Sequence, residues 1–404
     1  MLVPRFHIDI EQSVLDDLAV RLEQTRFAHV RGSGGWDYGT SPEYVQELVE
    51  HWRTKYDWRL HEDELNRLTQ YKAPLAGNDI HFIHECGHGA DALPLLLLHG
   101  WPDSFYRYHK VIEGLRNPLM DGTSSTEAFD VVVPSLPGFA FTGPPINPDV
   151  AQPTRHTAQL LWELMTETLG YKRFAVAGGD TGSAIAQAMA LDHPESIIAV
   201  HLTDIGWQAT NVEPATLTKP EQKYLQAVQK QFLADNAYIM LQTTKPFTLA
   251  AALNDSPAGL ASWIVDRFHS WGDHNGNIYN SFTQDELLTN IMLYWVTGTI
   301  GSSMYTYFAE AKSPSISRHE FVERPVGLAL FPKDIGGIPP RALAERTLNV
   351  QRWSEMPHGG HFAAMEVPEL YVNELREFLR PFRANALSVS ETASRSDSVP
   401  TRAT

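Results

Sequence analysis

The 404-residue chain has one cysteine, Cys86, which excludes an internal disulfide and any thiolate-based metal cluster. It also lacks a positive balance. With 48 acidic against 32 basic residues the formal charge is −16, which repels nucleic acid and anionic membrane surfaces and favours an uncharged or cationic small molecule. Long apolar runs are missing too. The longest, near Leu95 to Leu98, is strand-sized, and Pro4, Arg5 and Asp9 interrupt what would have to be a signal peptide or N-terminal anchor. A soluble cytoplasmic protein without a membrane anchor is therefore expected. Cys86 lies in the turn-like run Glu85-Cys86-Gly87-His88-Gly89 and reads as structural or incidental.

What is present is organised around Gly178-Gly179-Asp180-Thr181-Gly182-Ser183, which comes after the apolar stretch Phe174 to Ala177 and precedes a helical pattern through Ile185, Met189 and Leu191. Small-x-nucleophile-x-small spacing at a strand-to-helix turn is a nucleophile elbow. The central residue is strained, and side chains at the flanks would collide with the strand and helix. Asp180 stands where Ser is usual, and this decides the chemistry. A carboxylate attacks a saturated carbon to give an alkyl ester, whereas Ser attacks a carbonyl to give an acyl ester.

Taken in order, residues 1–75 read as a helical meander with no strand of its own, wrapped around the domain C-terminal to it. Leu15, Leu18 and Leu22 share one helix face, and Ser41 caps a second helix with Pro42 in its first turn and Val45, Leu48 and Trp52 on one side. Residues 76–205 alternate strands with helices: Ile80 to Ile83, Leu93 to Leu98, Phe129 to Val133, Phe174 to Ala177 and Ile197 to Leu202. That rhythm implies an α/β fold with a mostly parallel, doubly wound sheet and ligands at the carboxyl ends of its strands. Residues 206–322 turn helical, with Thr283 and Glu286 forming a capping box, and a helical insertion between strand-helix units is a lid. The sheet returns over 323–382, from Val326 to Phe331 onward. Few apolar anchors remain over 383–404, so that tail is expected to be disordered.

An ester on Asp180 is a dead end unless a His activates water and an acid orients that His. On this fold the order is nucleophile, acid, His. By position the His is His361 in Gly359-Gly360-His361-Phe362, with His358 as competitor; the acid is Asp334, with Asp204 as rival. Hydrolysis passes through an oxyanion, for which backbone N–H groups of Thr181 and Trp101 are placed to be donors. If the carbon belongs to an oxirane, the leaving oxygen needs donors such as neutral phenols, and the lid offers Tyr238, Tyr294, Tyr305 and Tyr307.

These runs, together with Trp36-Asp37-Tyr38-Gly39, Tyr56-Asp57-Trp58-Arg59, Ile80-His81-Phe82-Ile83-His84, His99-Gly100-Trp101-Pro102, Asn254-Asp255-Ser256-Pro257, Tyr294-Trp295-x-Thr297-Gly298-Thr299-Ile300 and Pro368-Glu369, resemble the microsomal-type epoxide hydrolases of the α/β-hydrolase superfamily. The resemblance covers the whole chain except its C-terminal tail. It implies an α/β-hydrolase fold and a cofactor-independent, metal-free enzyme of detoxification or secondary metabolism that turns a small-molecule epoxide into a vicinal diol. It maps Asp180 as nucleophile, His361 as base, Asp334 as its acid partner, and Tyr238 and Tyr307 as donors to the oxirane oxygen, with Tyr305 the alternative to Tyr307. A homodimer is the macromolecular association left open. The family usually has Trp where this chain has Thr181, so a pocket wall is lost and a bulkier or more polar substrate is expected; it often has Arg at the place of Tyr305. A haloalkane-type dehalogenase, an epoxide-opening cyclase and a non-catalytic receptor remain as alternatives on the same fold.

Overall fold

The computed structural model describes residues 3–28, 35–89, 91–118, 127–145, 150–206, 212–317 and 319–383. The tail expected to be disordered lies, from residue 384 on, outside the described residues. Arg383 at its start is packed, its guanidinium donating to the carbonyl oxygens of Glu127 and Ala128 at 2.8 Å.

Among the described residues nine strands build one sheet: β1 (Arg5–Phe6), β2 (Gln70–Leu75), β3 (Asn78–Glu85), β4 (Leu93–Leu98), β5 (Phe129–Pro134), β6 (Phe174–Gly178), β7 (Ile197–Leu202), β8 (Val322–Leu330) and β9 (Leu348–Glu355). Their order is β1-β2-β3-β5-β4-β6-β7-β8-β9. Pairing is antiparallel from β1 to β5 and parallel from β5 through β9. The parallel strands are apolar on both faces, as a sheet covered by helices on each side requires, and Leu95 to Leu98 are fully buried. Leu98 pairs with Gly178, Gly178 with Leu202, and Leu202 with Leu328. The carboxyl ends of β4, β6 and β7 therefore stop level, with β8 running on to Leu330, and the loops after them open onto one site.

The helices are α1 (Gln12–Glu23), α2 (Pro42–Thr54), α3 (Trp58–Leu65), α4 (Ile112–Arg116), α5 (Pro153–Glu163), α6 (Thr181–Asp192), α7 (Lys219–Ala234), α8 (Ala237–Thr244), α9 (Pro246–Leu253), α10 (Pro257–Trp271), α11 (Gln284–Thr297), α12 (Ile300–Lys312), α13 (Arg341–Ala344), α14 (Ala363–Glu366) and α15 (Pro368–Leu379). The caps read from the sequence form. The Tyr44 N–H donates to Ser41 Oγ at the start of α2, and Thr283 and Glu286 exchange bonds of 2.9 and 3.1 Å at the start of α11. No described helix is long and apolar enough to cross a membrane.

The N-terminal stretch departs from the expectation of a segment without strands. β1 and β2 extend the sheet, and β2 forms a hairpin with β3 through Ala76 and Gly77, whose φ values of 45° and 84° suit a tight two-residue turn. Helices α1 and α2 brace the insertion α7–α12. Arg21 pairs with Asp255 at 2.7 Å, His51 with Asp285 at 2.6 Å, and Trp36 stacks on His269 with centroids 3.8 Å apart.

Candidate functional site

At the end of β6, Asp180 adopts φ 58° and ψ −130°, a conformation that costs about 1–3 kcal/mol for a residue with a side chain. The glycines leave it room. A Cβ on Gly178 would meet the Gly182 carbonyl, one on Gly182 the Leu98 carbonyl, and one on Gly100 the Asp180 carboxylate itself. Asp180 is thus presented at the head of α6, against the loop after β4. Its Oδ1 accepts the Trp101 N–H at 2.9 Å and the Thr181 hydroxyl at 2.9 Å. The sequence pointed to the Thr181 backbone N–H. That group is the first of the helix donors with no acceptor inside α6, while the bond from Thr181 to the carboxylate runs through its side chain.

His361, 3% exposed, lies in the loop after β9. Its Nδ1 donates to Asp334 Oδ1 at 2.7 Å, its own N–H donates to the Trp271 carbonyl at 2.9 Å, and its Nε2 stands 3.7 Å from Asp180 Oδ2. Burial lowers the pKa of the imidazole, but the charge and hydrogen bond of Asp334, helped by Asp180, outweigh this and leave it raised above the ordinary 6.5. The competitor His358 is exposed.

The rival acid Asp204 has a different occupation. Its Oδ2 accepts the Asp180 N–H at 2.9 Å and the Ser183 hydroxyl at 2.7 Å, and its Oδ1 accepts the Gly206 N–H at 2.8 Å. It pins the strained elbow from below. Burial, followed by the charge of Asp334, pushes its pKa up to about 6 against those bonds. The surface it retains faces the cavity.

Above Asp180 the insertion supplies Tyr238 from α8 and Tyr307 from α12, both lining a cavity of about 540 Å³ that also contains Asp180, Thr181, Asp334 and His361. Tyr238 stacks on the Trp101 ring, centroids 5.6 Å apart and nearly parallel, and Tyr307 meets the same ring edge-on at 5.9 Å. Burial first, and the Asp180 charge second, raise both phenols above their ordinary value of 10, so they stay protonated donors. Tyr305 points elsewhere, stacking on Phe247 at 5.4 Å.

Sequence reasoning passed over two arginines. Buried Arg107 pairs with Asp103, donates to the His361 carbonyl oxygen, and lies where a Cβ on Gly179 would be 2.8 Å away. Arg267 pairs with Asp235 at 2.8 and 2.9 Å and lies over the rings of Tyr238 and Trp271, 4.8 and 5.3 Å from their centroids. Only the first left a local signal, an acid and an arginine four residues apart.

Residues 3–108 match the family model described as epoxide hydrolase N terminus, and residues 94–262 match that described as alpha/beta hydrolase fold. A Stigmatella aurantiaca protein provisionally named an epoxide hydrolase is 38% identical over 381 residues, covering 94% of this chain and 85% of that protein. Epoxide hydrolase 1 of Sus scrofa is 33% identical over 93% of this chain and 88% of its own length. The crystal structure of juvenile hormone epoxide hydrolase from the silkworm Bombyx mori superposes with a TM-score of 0.84 at 27% identity, covering 95% of each chain. With this similarity spanning both the N-terminal stretch and the sheet that carries Asp180, the chain belongs to the epoxide hydrolase family of the α/β-hydrolase superfamily.

Proposed function

We propose that this epoxide hydrolase works in two steps on a small-molecule oxirane. Tyr238 and Tyr307 donate to the ring oxygen while Asp180 Oδ2 attacks a ring carbon, breaking its C–O bond and leaving a hydroxyalkyl ester on the enzyme. Asp334 then holds His361 in the tautomer whose Nε2 accepts a proton from water. That water adds to the ester carbon, and the N–H of Trp101 stabilises the oxyanion forming on Oδ1. Collapse returns the proton to the departing alkoxide. The product is a vicinal diol, one oxygen of which comes from Asp180, and no cofactor or metal enters any step.

The observation that carries this reading is the asymmetric setting of the Asp180 carboxylate. Oδ1 is held by donors, as a future carbonyl oxygen should be, and Oδ2 faces His361 Nε2 at 3.7 Å. The lid over residues 206–322, closing on a core of 76–205 and 323–382, belongs to the same reading, as do the cytoplasmic location and the homodimer, which cell fractionation and light scattering test.

The decisive experiment is intact-protein mass on the His361→Gln variant incubated with epoxides and, separately, haloalkanes. A gain of the full epoxide mass on the peptide containing Asp180 is expected. Adducts from haloalkanes alone would make the chain a dehalogenase, and none from either panel, in a variant shown to be folded, would remove the covalent course.

A further inference from the structure

We infer that the Thr181 side chain is a catalytic residue of the second step, a hydroxyl donor to the oxyanion in addition to the backbone donors. The inference rests on the two-step course proposed above and adds to it a side-chain role. Its basis is geometric. Thr181 Oγ1 donates to Asp180 Oδ1 at 2.9 Å, and the Trp101 N–H donates to the same atom at the same distance. The room that Gly100 leaves is filled by that carboxylate, so Oδ1 packs against the Gly100 backbone while both donors hold it. The oxygen with two donors is therefore the one that stays unalkylated.

The electron count then assigns the hydroxyl its task. When water oxygen bonds to the ester carbon, its proton moves to His361 Nε2 and the carbonyl π pair moves onto Oδ1. A hydrogen bond already made to Oδ1 strengthens as that oxygen goes from a shared carboxylate charge, through a neutral ester carbonyl, to a full oxyanion. In the first step the same bond works the other way. It draws charge from the attacking carboxylate, so its removal should not slow ester formation. An effect divided in this way between the steps is not what a pocket wall or a packing residue gives.

The test uses T181V, which keeps the branched shape and deletes the hydroxyl, beside T181S, which keeps the hydroxyl and deletes the methyl. Single turnovers are acid-quenched and read by intact mass, giving separate rates for ester formation and ester loss. T181V is expected to lose its ester about 10- to 100-fold more slowly, less than the ~10²–10³ typical for a donor because the Trp101 N–H remains. Ester formation should be undiminished, ester should accumulate at steady state, and T181S should recover most of the rate. An unchanged ester lifetime in T181V, equal slowing of both steps, or a T181S as slow as T181V would each overturn the assignment. Failure of His361→Gln to trap any adduct on Asp180 would instead remove the two-step course, and this inference with it.

Discussion

Arg107 donates to the carbonyl oxygen of His361, 254 residues further along the chain, while its other nitrogen pairs with Asp103. Asp103 Oδ1 in turn accepts the Gly100 N–H at 2.9 Å, one residue before the Trp101 N–H that bonds Asp180. One buried ion pair thus connects the loop that holds the nucleophile's oxygen to the loop that holds the proposed base.

The Arg107 charge also acts on His361, whose pKa it lowers against the pull of Asp334. R107M should therefore move the acid limb of ester hydrolysis to higher pH and, by leaving Asp103 buried and unpaired, cost about 3–5 kcal/mol of stability. R107K should keep the limb in place while losing the bridge between the loops. Single-turnover pH profiles and thermal unfolding on the two variants separate charge from geometry.

Tyr238 and Tyr307 should be unequal to their neighbour Tyr305. Y238F and Y307F are each expected to slow ester formation by about 10²-fold, the low end for loss of a proton-donating group. Y305F, whose ring stacks on Phe247 away from the cavity, should leave both steps within about twofold, the scale of a surface substitution. A large loss in Y305F with an active Y307F would exchange their roles.

A base must be neutral to accept a proton, and the raised pKa of His361 keeps it charged to higher pH than an ordinary imidazole. Ester loss should accordingly fall below an inflection lying above 6.5. Ester formation should carry no alkaline limb near pH 10, because burial and Asp180 hold both tyrosines protonated beyond it. Quenched single turnovers across pH read the two limbs independently.

Asp334 and Asp204 should part company when each is made Asn. D334N removes the carboxylate that His361 Nδ1 bonds, and if Asp334 orients the proposed base, ester loss should fall by about 10³- to 10⁴-fold with formation intact. D204N should act on the elbow, costing about 1–3 kcal/mol for a bond lost beneath Asp180. Because the folded pKa of Asp204 is raised from 3.8 to about 6, its contribution to stability is present below the first value and lost as pH rises through the second. D204N should flatten that part of the unfolding curve against pH.

The elbow was legible because its demands are local: Gly178, Asp180 and Gly182 lie within five residues and state their own geometry. His361 and Asp334 emerged from the order of strands, and the structure sets His361 beside Asp180 and Asp334 beside His361. The strand β2 was hidden by its polar composition and by Pro74, which weakens any strand pattern yet is tolerated near a sheet edge. Arg107 and Arg267 were hidden for another reason. Apart from the local pairs of Arg107 with Asp103 and of Arg267 with Trp271, their contacts to His361, Asp235 and Tyr238 close only when separate segments pack, and a charged side chain does not by itself announce that it will be buried. The same holds for Asp204, whose place at a strand end fits an acid partner equally well until its carboxylate is seen engaged by the elbow N–H.

Trp101 gives its peptide N–H to Asp180 Oδ1, on which the proposed second step depends, and its ring to Tyr238 and Tyr307, the donors of the proposed first step. Any shift of that indole is communicated to both halves of the reaction at once. Substitution at cavity-lining positions such as Val228, Phe232 and Ile335 changes the space for a substrate without this double consequence, while the corner occupied by Trp101 is tied to both proposed steps through one shared hinge.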